Sequence, residues 1–214
     1  MKSSKPKSED DLAKAAQASM RFGAKPVLGL SLVWLLTVGG GWAQEFQPSE
    51  YQLKAAYVFN FAKFVEWPPE AFAETNSPIV IGILGENPFG TDLERTIGNR
   101  TISNRSLAIR EIRSLAEATN CHLLFISRSE RKRLPKTIQG LRGASILTVG
   151  ETERFTEAGG MIEFVPQGNK IRFLINNDAA RSAGLKISSK LLSLALPPGA
   201  PTPAPLPQTQ TDAD

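Results

Sequence analysis

The sequence holds a single cysteine, Cys121, and a single histidine, His122. One thiol cannot form an intramolecular disulfide, so the fold must rest on its core alone. Neighbours in an extended strand point to opposite faces, which argues against a catalytic Cys-His pair or a shared metal site here. With no second Cys or His, a transition-metal site of the usual composition is excluded. Cys121 opens an apolar run and reads as a small buried hydrophobe, with an intermolecular disulfide as the alternative. The motifs of common chemistries are also missing. Gly82-Ile-Leu-Gly85-Glu-Asn-Pro-Phe-Gly90 has the spacing of neither the dinucleotide fingerprint nor the P-loop, and Glu86 within it would repel an anion. Gly-x-Ser-x-Gly is absent. The carboxylates (Glu74, Glu86, Asp92, Glu94, Glu163, Asp178) are scattered, with no spacing that specifies hydrolase chemistry, although folding could bring two together. The residues thus assign no catalytic group, no metal ligand and no cofactor. Excess charge is lacking too: of a net +4, residues 1–43 hold six basic and three acidic groups, which leaves the remainder at +1. Charge gives no support to nucleic-acid binding.

No apolar run is long enough for a comfortable membrane span. Val27–Val38 is too short. Arg21 and Lys25 precede it, and small residues at Gly41 and Ala43 follow, the layout of a secretory signal peptide cut after Ala43. An uncleaved N-terminal anchor is the alternative. Residues 1–19 make an unusually long polar leader, and Met20 begins a more ordinary one, so Met20 is the expected translation start. At the other end, residues 196–214 are Pro-, Thr-, Gln- and Ala-rich without periodicity, the composition of a disordered tail.

What is present is organised around Tyr51–Trp67, closed by Pro68-Pro69. Ser49 with Gln52 makes a capping box, and Pro68 should end the helix near Glu66. At about 100° per residue, Gln52, Asn60, Lys63 and Glu66 form one polar strip and apolar side chains fill the rest, so the helix needs burial on more than one side. Two residues break the pattern. Lys54 falls inside the apolar arc, where its ammonium should snorkel out. Phe59 falls beside the polar strip, with no obvious core to enter.

Beyond a polar connector at Ala71–Ser77, the chain reads as strands at 78–84, 106–112, 122–127 and 145–150, with helices at 91–97, 114–120, 129–141 and 154–158 between and after them. Met161–Asn176 reads as two alternating strands around Gln-Gly-Asn, a hairpin, followed by helices at 177–183 and 188–195. Strands alternating with helices imply an α/β domain over residues 48–195. The expected form is a three-layer sandwich with a mostly parallel sheet, flavodoxin-like in layout, with the C-terminal antiparallel hairpin at its edge. Arg128, Arg131, Lys132 and Arg133, with Lys136, cluster on one short stretch. They read as a solvated helix face, or as a basic contact face for an acidic partner or membrane surface.

Four blocks resemble one family. Leu53-Lys-Ala-Ala-Tyr-Val-Phe-Asn-Phe-Ala-Lys-Phe-Val-Glu-Trp-Pro68 is similar to the opening signature of the YfiR family of periplasmic proteins. Ile79–Gly85, Cys121–Ser127, and Gly160–Asn176 followed by Ala183–Ala195 resemble its first strand, central strand and closing hairpin with helices. The resemblance implies a non-enzymatic periplasmic regulator that represses an inner-membrane diguanylate cyclase through its periplasmic portion. An outer-membrane peptidoglycan-associated lipoprotein would sequester it, and release of the cyclase would raise cyclic di-GMP and promote biofilm. It also implies a homodimer. The family's disulfides are out of reach for a chain with Cys121 alone. The alternative function is a periplasmic small-ligand-binding or sensor domain serving another transducer, such as a histidine kinase. A third is a secreted hydrolase whose carboxylates converge only in the fold. Phe59 and Trp67, with Lys63 and Glu66, are the candidate partner or dimer surface, because aromatics at such sites often anchor interfaces. Burial of both rings by the chain itself is the competing expectation.

Overall fold

A computed structural model describes residues 48–168 and 170–197. The expected signal peptide, the Met20 start and nearly all of the expected tail lie outside them. Helix α1 (Glu50–Phe64) begins with the capping box: Ser49 Oγ accepts from Gln52 N–H and Gln52 Oε1 accepts from Ser49 N–H. It stops two residues earlier than the sequence reading has it. Val65–Glu66 is a short strand, β1, paired antiparallel with β9 (Lys186–Ile187). Val65 is β-branched, Pro68-Pro69 forbids another helical turn, and a partner strand absorbs the freed backbone groups.

The main sheet has seven strands: β2 (Ile79–Leu84), β3 (Thr101–Ile102), β4 (Arg105–Ile112), β5 (Leu123–Ile126), β6 (Leu147–Gly150), β7 (Ile162–Gln167) and β8 (Lys170–Ile175). Their order is β3-β4-β2-β5-β6-β7-β8. The five strands from β4 to β7 in that order run parallel, while β3 and β8 join antiparallel at the two ends. The molecule is therefore a mixed α/β protein with a mostly parallel sheet. Strand alternation sorts the core. Ile79, Ile81, Ile83, Leu123, Phe125, Leu147 and Val149 join one cluster, with α1, α2 (Asp92–Ile97), α5 (Asn177–Ser182) and α6 (Ser189–Leu192). Val80, Leu84, Leu124 and Ile126 join a second, with α3 (Leu115–Ala118) and α4 (Leu134–Gly140). Both faces are covered, which is why these strands read as continuous apolar runs. Each fully buried large side chain contributes about 1.5–3 kcal/mol.

Two helices expected from the sequence take other forms. Arg128–Arg133 is a 3-10 helix that passes into α4. Arg154–Ala158 is a turn rather than a helix, entered through Arg154 at φ 62°. The buried Glu163 carboxylate accepts from the N–H groups of Arg154 and Thr156, and Phe155 is buried against Gly150 and Gly160. These tertiary contacts outweigh the weak helical preference of five residues.

The β8 edge is closed by the chain. Tyr57 Oη donates to the Ile171 carbonyl (3.3 Å) and Leu196 N–H donates to the Phe173 carbonyl (2.8 Å). Such capping blunts an edge that would otherwise template further pairing.

Candidate functional site

In open α/β sheets, ligands bind outside the carboxyl ends of the strands. Here that region is filled by the first turns of α1. Lys54, expected to snorkel out, is instead buried, with 2 % of its surface exposed. Its Nζ lies 2.5 Å from Glu151 Oε2 and 2.5 Å from Glu50 Oε1. Glu151 follows the last residue of β6 and is itself buried. Tyr51 Oη donates to the same carboxylate (3.3 Å), and Arg128 N–H donates to its other oxygen (3.4 Å). The Lys54 ammonium also sits 4.6 Å from the centre of the Tyr51 ring. Burial first, then the charges of Glu151 and Glu50, push the Tyr51 phenol up to about 12. The crevice between β2 and β5 is closed as well, because Glu86 N–H donates to Ser129 Oγ (2.9 Å). Gly85 makes this closure possible: it holds φ 91°, and a side chain there would collide with Ser129.

Further along α1, Tyr57 and Phe61 pack on Phe164 of β7 and Phe173 of β8, with ring centres 5.1–6.0 Å apart. Each such pair adds about 0.5–1.5 kcal/mol beyond its buried area. The helix is thus held at its start by an ion pair, in its middle by aromatics and at its end by β1–β9 pairing.

The candidate surface residues fall into two environments. Phe59 is half-buried against the core, with the Arg100 guanidinium 5.0 Å from its ring centre. Lys63 and Glu66 are exposed. Trp67 is half-buried and already engaged: its indole N–H donates to the His122 carbonyl (2.9 Å). Arg128, Arg131, Lys132 and Arg133 are all exposed, and the Arg133 guanidinium lies 3.8 Å from Glu130.

A second polar centre lies at the amino end of β5. His122 is buried, with Phe72 stacked on its ring at 4.4 Å and the Trp67 ring edge-on at 6.1 Å. Its Nδ1 accepts from Val80 N–H (3.0 Å), whereas its buried Nε2 has no partner. Burial lowers the imidazole's pKa, and Arg105 adds to this, while the Ala71 backbone opposes it. Cys121 enters the opposite face of the sheet, beside Leu124 and Ile112, and burial pushes its thiol up to about 11. The structure therefore places the two neighbours on opposite faces, as strand geometry requires.

Sequence reasoning missed Glu151 and the cover over His122. For Glu151 no local signal exists, since it is 97 residues from Lys54. For the cover there was one: Phe72, a large apolar residue within a polar connector.

The hollows among the described residues include two of moderate size. One of about 460 Å³ lies between α4 and α5, lined by Ile138, Leu141, Met161, Asn176, Asp178 and Ala179 among others. The other, about 400 Å³ and open, runs beside Arg131, Thr152, Glu153, Arg154 and Glu157. Among the described residues, no group of three His, Cys, Asp or Glu side chains could hold a metal ion.

A family model described as YfiR/HmsC-like matches residues 51–196. No curated protein matches the chain. Among solved structures, a conserved domain protein from Vibrio cholerae O1 biovar El Tor is 12 % identical, with a TM-score of 0.47 over 69 % of this chain and 59 % of that one. The ABC domain in complex with L-Trp from Streptococcus pneumoniae is 13 % identical, with a TM-score of 0.46 over 66 % and 59 %. The chain thus spans about three-fifths of the length of each, and likenesses this weak carry no argument. The family match is of another order, since it runs from the first turn of α1 past the end of α6. By that match the chain belongs to the YfiR/HmsC-like family.

Proposed function

We propose that this chain is a non-enzymatic periplasmic regulator that represses an inner-membrane diguanylate cyclase by contacting its periplasmic portion. In this way it links envelope signals to cyclic di-GMP and biofilm formation. The observation that carries the reading is the family match over residues 51–196. The family is one of regulators in cyclic di-GMP signalling that act through protein contacts. In keeping with that, the region where α/β proteins usually hold a ligand is occupied by α1 through Lys54 and Glu151. An outer-membrane peptidoglycan-associated lipoprotein is the second expected partner, and the protein acts as a homodimer. The contact surface is centred on Phe59, Lys63 and Glu66, with Trp67 as the inner support of that surface. The basic residues Arg128, Arg131, Lys132 and Arg133 form a separate face toward acidic groups.

The decisive experiment is a pull-down from membranes with the protein as bait, together with cyclic di-GMP measurement in a deletion strain. The cyclase is recovered and the nucleotide level rises on deletion; an unchanged level removes the reading. Phe59→Ala weakens dimerisation or repression. If it lowers only stability, Phe59 belongs to the core instead.

The cavity between α4 and α5 favours a second reading, a small-ligand-binding or sensor domain serving another transducer such as a histidine kinase. Its volume, about 460 Å³, lies in the range of small-molecule sites. Ala179→Trp fills it. Repression that survives this change supports protein contact, and signalling that fails while partner binding persists supports the ligand reading.

A further inference from the structure

We infer that His122, Phe72 and Arg105 form an acid-sensitive latch that holds the connector between β1 and β2 on the sheet and releases it when His122 takes up a proton. The reasoning begins with hydrogen positions. Nδ1 accepts from Val80 N–H, so the ring's one proton is on Nε2. A second proton can go only to Nδ1, where it would face the Val80 N–H instead of accepting from it. The imidazolium would then lose the Val80 contact and have only the Ala71 backbone, which makes no well-formed hydrogen bond to Nε2, to offset its charge in a buried site.

The charged surroundings make this worse. β2 presents the Val80 N–H, β6 presents the Leu147 N–H to the His122 carbonyl, and the connector presents Trp67, Phe72 and the Ala71 backbone. The charged group that faces the ring is Arg105 of β4, a cation, on the far side of Phe72. Among the described residues, no carboxylate offsets a charged imidazole.

Something must therefore move, and the hydrogen bonds decide what. His122 cannot leave easily, because its N–H donates to the Val80 carbonyl (2.8 Å) and its carbonyl accepts from Leu147 N–H (2.8 Å) and the Trp67 indole (2.9 Å). The connector can. Its backbone bonds are local, from Ala71 to Pro68, Phe72 to Pro69 and Ser77 to Glu74. What fixes it to the sheet is side-chain work. Phe72 lies between His122 and the Arg105 guanidinium, which is 3.7 Å from its ring centre. Arg105 Nη1 in turn donates to the carbonyls of Ser77 (2.7 Å) and Glu74 (3.1 Å). Releasing the stack costs no sheet hydrogen bond. Segments of this kind sit at the low-stability end of a structure. The latch is independent of the identity of any partner. It adjoins Glu66 and Trp67, so its opening alters the surface assigned above to protein contact.

The test uses the full chain. Its single histidine gives one imidazole signal in an NMR titration, and peptide-resolved hydrogen exchange follows residues 68–77 from pH 7.5 to 5.5. After correction for intrinsic exchange, protection of 68–77 falls by up to about tenfold per pH unit, the limit for one coupled proton, while β2 and β5 change less than about twofold. In His122→Asn, which keeps an acceptor but binds no proton, exchange of 68–77 becomes independent of pH, whatever its level. Arg105→Gln loosens the cover, so the imidazole titrates at higher pH than in the parent chain. The inference is overturned if the wild-type imidazole titrates at or above the free value. It is equally overturned if the connector and the core open together, or if the pH slope survives in His122→Asn. The wild-type measurements decide the matter even if a variant does not fold.

Discussion

Replacing Lys54 by Met tests the central claim about α1. The change keeps the apolar stem and removes the ammonium. Lys54 and Glu151 each expose only 3 % of their side chains and meet at 2.5 Å. Without the ammonium, the Glu151 carboxylate keeps only the Tyr51 hydroxyl at 3.3 Å and the Arg128 N–H at 3.4 Å, both long. Removing one partner of a buried pair costs about 3–5 kcal/mol, because an uncompensated charge remains inside. The two weak replacements put Lys54→Met in that range, or a fall in Tm of roughly 10 °C for a body of this size. Glu151→Gln should cost less, about 2–3 kcal/mol, since the ammonium still has Glu50 at 2.5 Å. Glu50→Gln should cost under about 1 kcal/mol, because that carboxylate is 52 % exposed. The double variant Lys54→Met with Glu151→Leu removes both charges and recovers most of the loss, so the cycle is strongly non-additive. Urea unfolding of the parent chain, Lys54→Met, Glu151→Leu and the double variant, with the slope checked for constancy, supplies the numbers for the cycle. If Lys54→Met costs under about 1 kcal/mol and the cycle is additive, the ion pair does not hold α1 and the snorkelling expectation returns.

Three further outcomes follow from the same geometry. The Tyr51 phenol, pushed up to about 12 mainly by burial, keeps its proton in the folded chain when the unfolded phenol has lost it near 10. The stability this supplies is complete below about pH 10 and is lost as pH rises toward 12. Ultraviolet titration of the Tyr51→Phe variant should lack the late-ionising phenol, and a wild-type chain whose tyrosines all titrate near 10 would contradict the reasoning. Cys121, buried and with its thiol pushed up to about 11, should react with iodoacetamide at pH 8 at least a hundredfold more slowly than in urea, since only the thiolate attacks; comparable rates would place the thiol at the surface. A methyl group at Gly160 would overlap the buried Phe155 ring, so Gly160→Ala should cost about 2–3 kcal/mol, measured by denaturant unfolding, and a loss under about 0.5 kcal/mol would mean that the turn yields freely.

Much was determined by the sequence itself. The Ser49–Gln52 box, the stop before Pro68-Pro69 and the alternation of Ile79, Ile81 and Ile83 against Val80 and Leu84 are local codes. Backbone sterics and strand periodicity read them the same way in any context. The family resemblance draws on Pro68 and the Ile79–Leu84 run among these residues. What the tertiary structure alone decided depends on groups distant in sequence or on competition between weak local preferences. Lys54 finds Glu151 across 97 residues, which no pattern around either one announces. Val65–Glu66 becomes a strand because Lys186–Ile187 arrives beside it. Arg154–Ala158 has a helical composition too short to nucleate, so Phe155 and the Glu163 carboxylate set its shape instead. His122 looked inert as a lone histidine. Only packing brought Phe72 and Arg105 over it and left Nε2 without a partner, because burial and contact are properties of the folded chain rather than of a window along it.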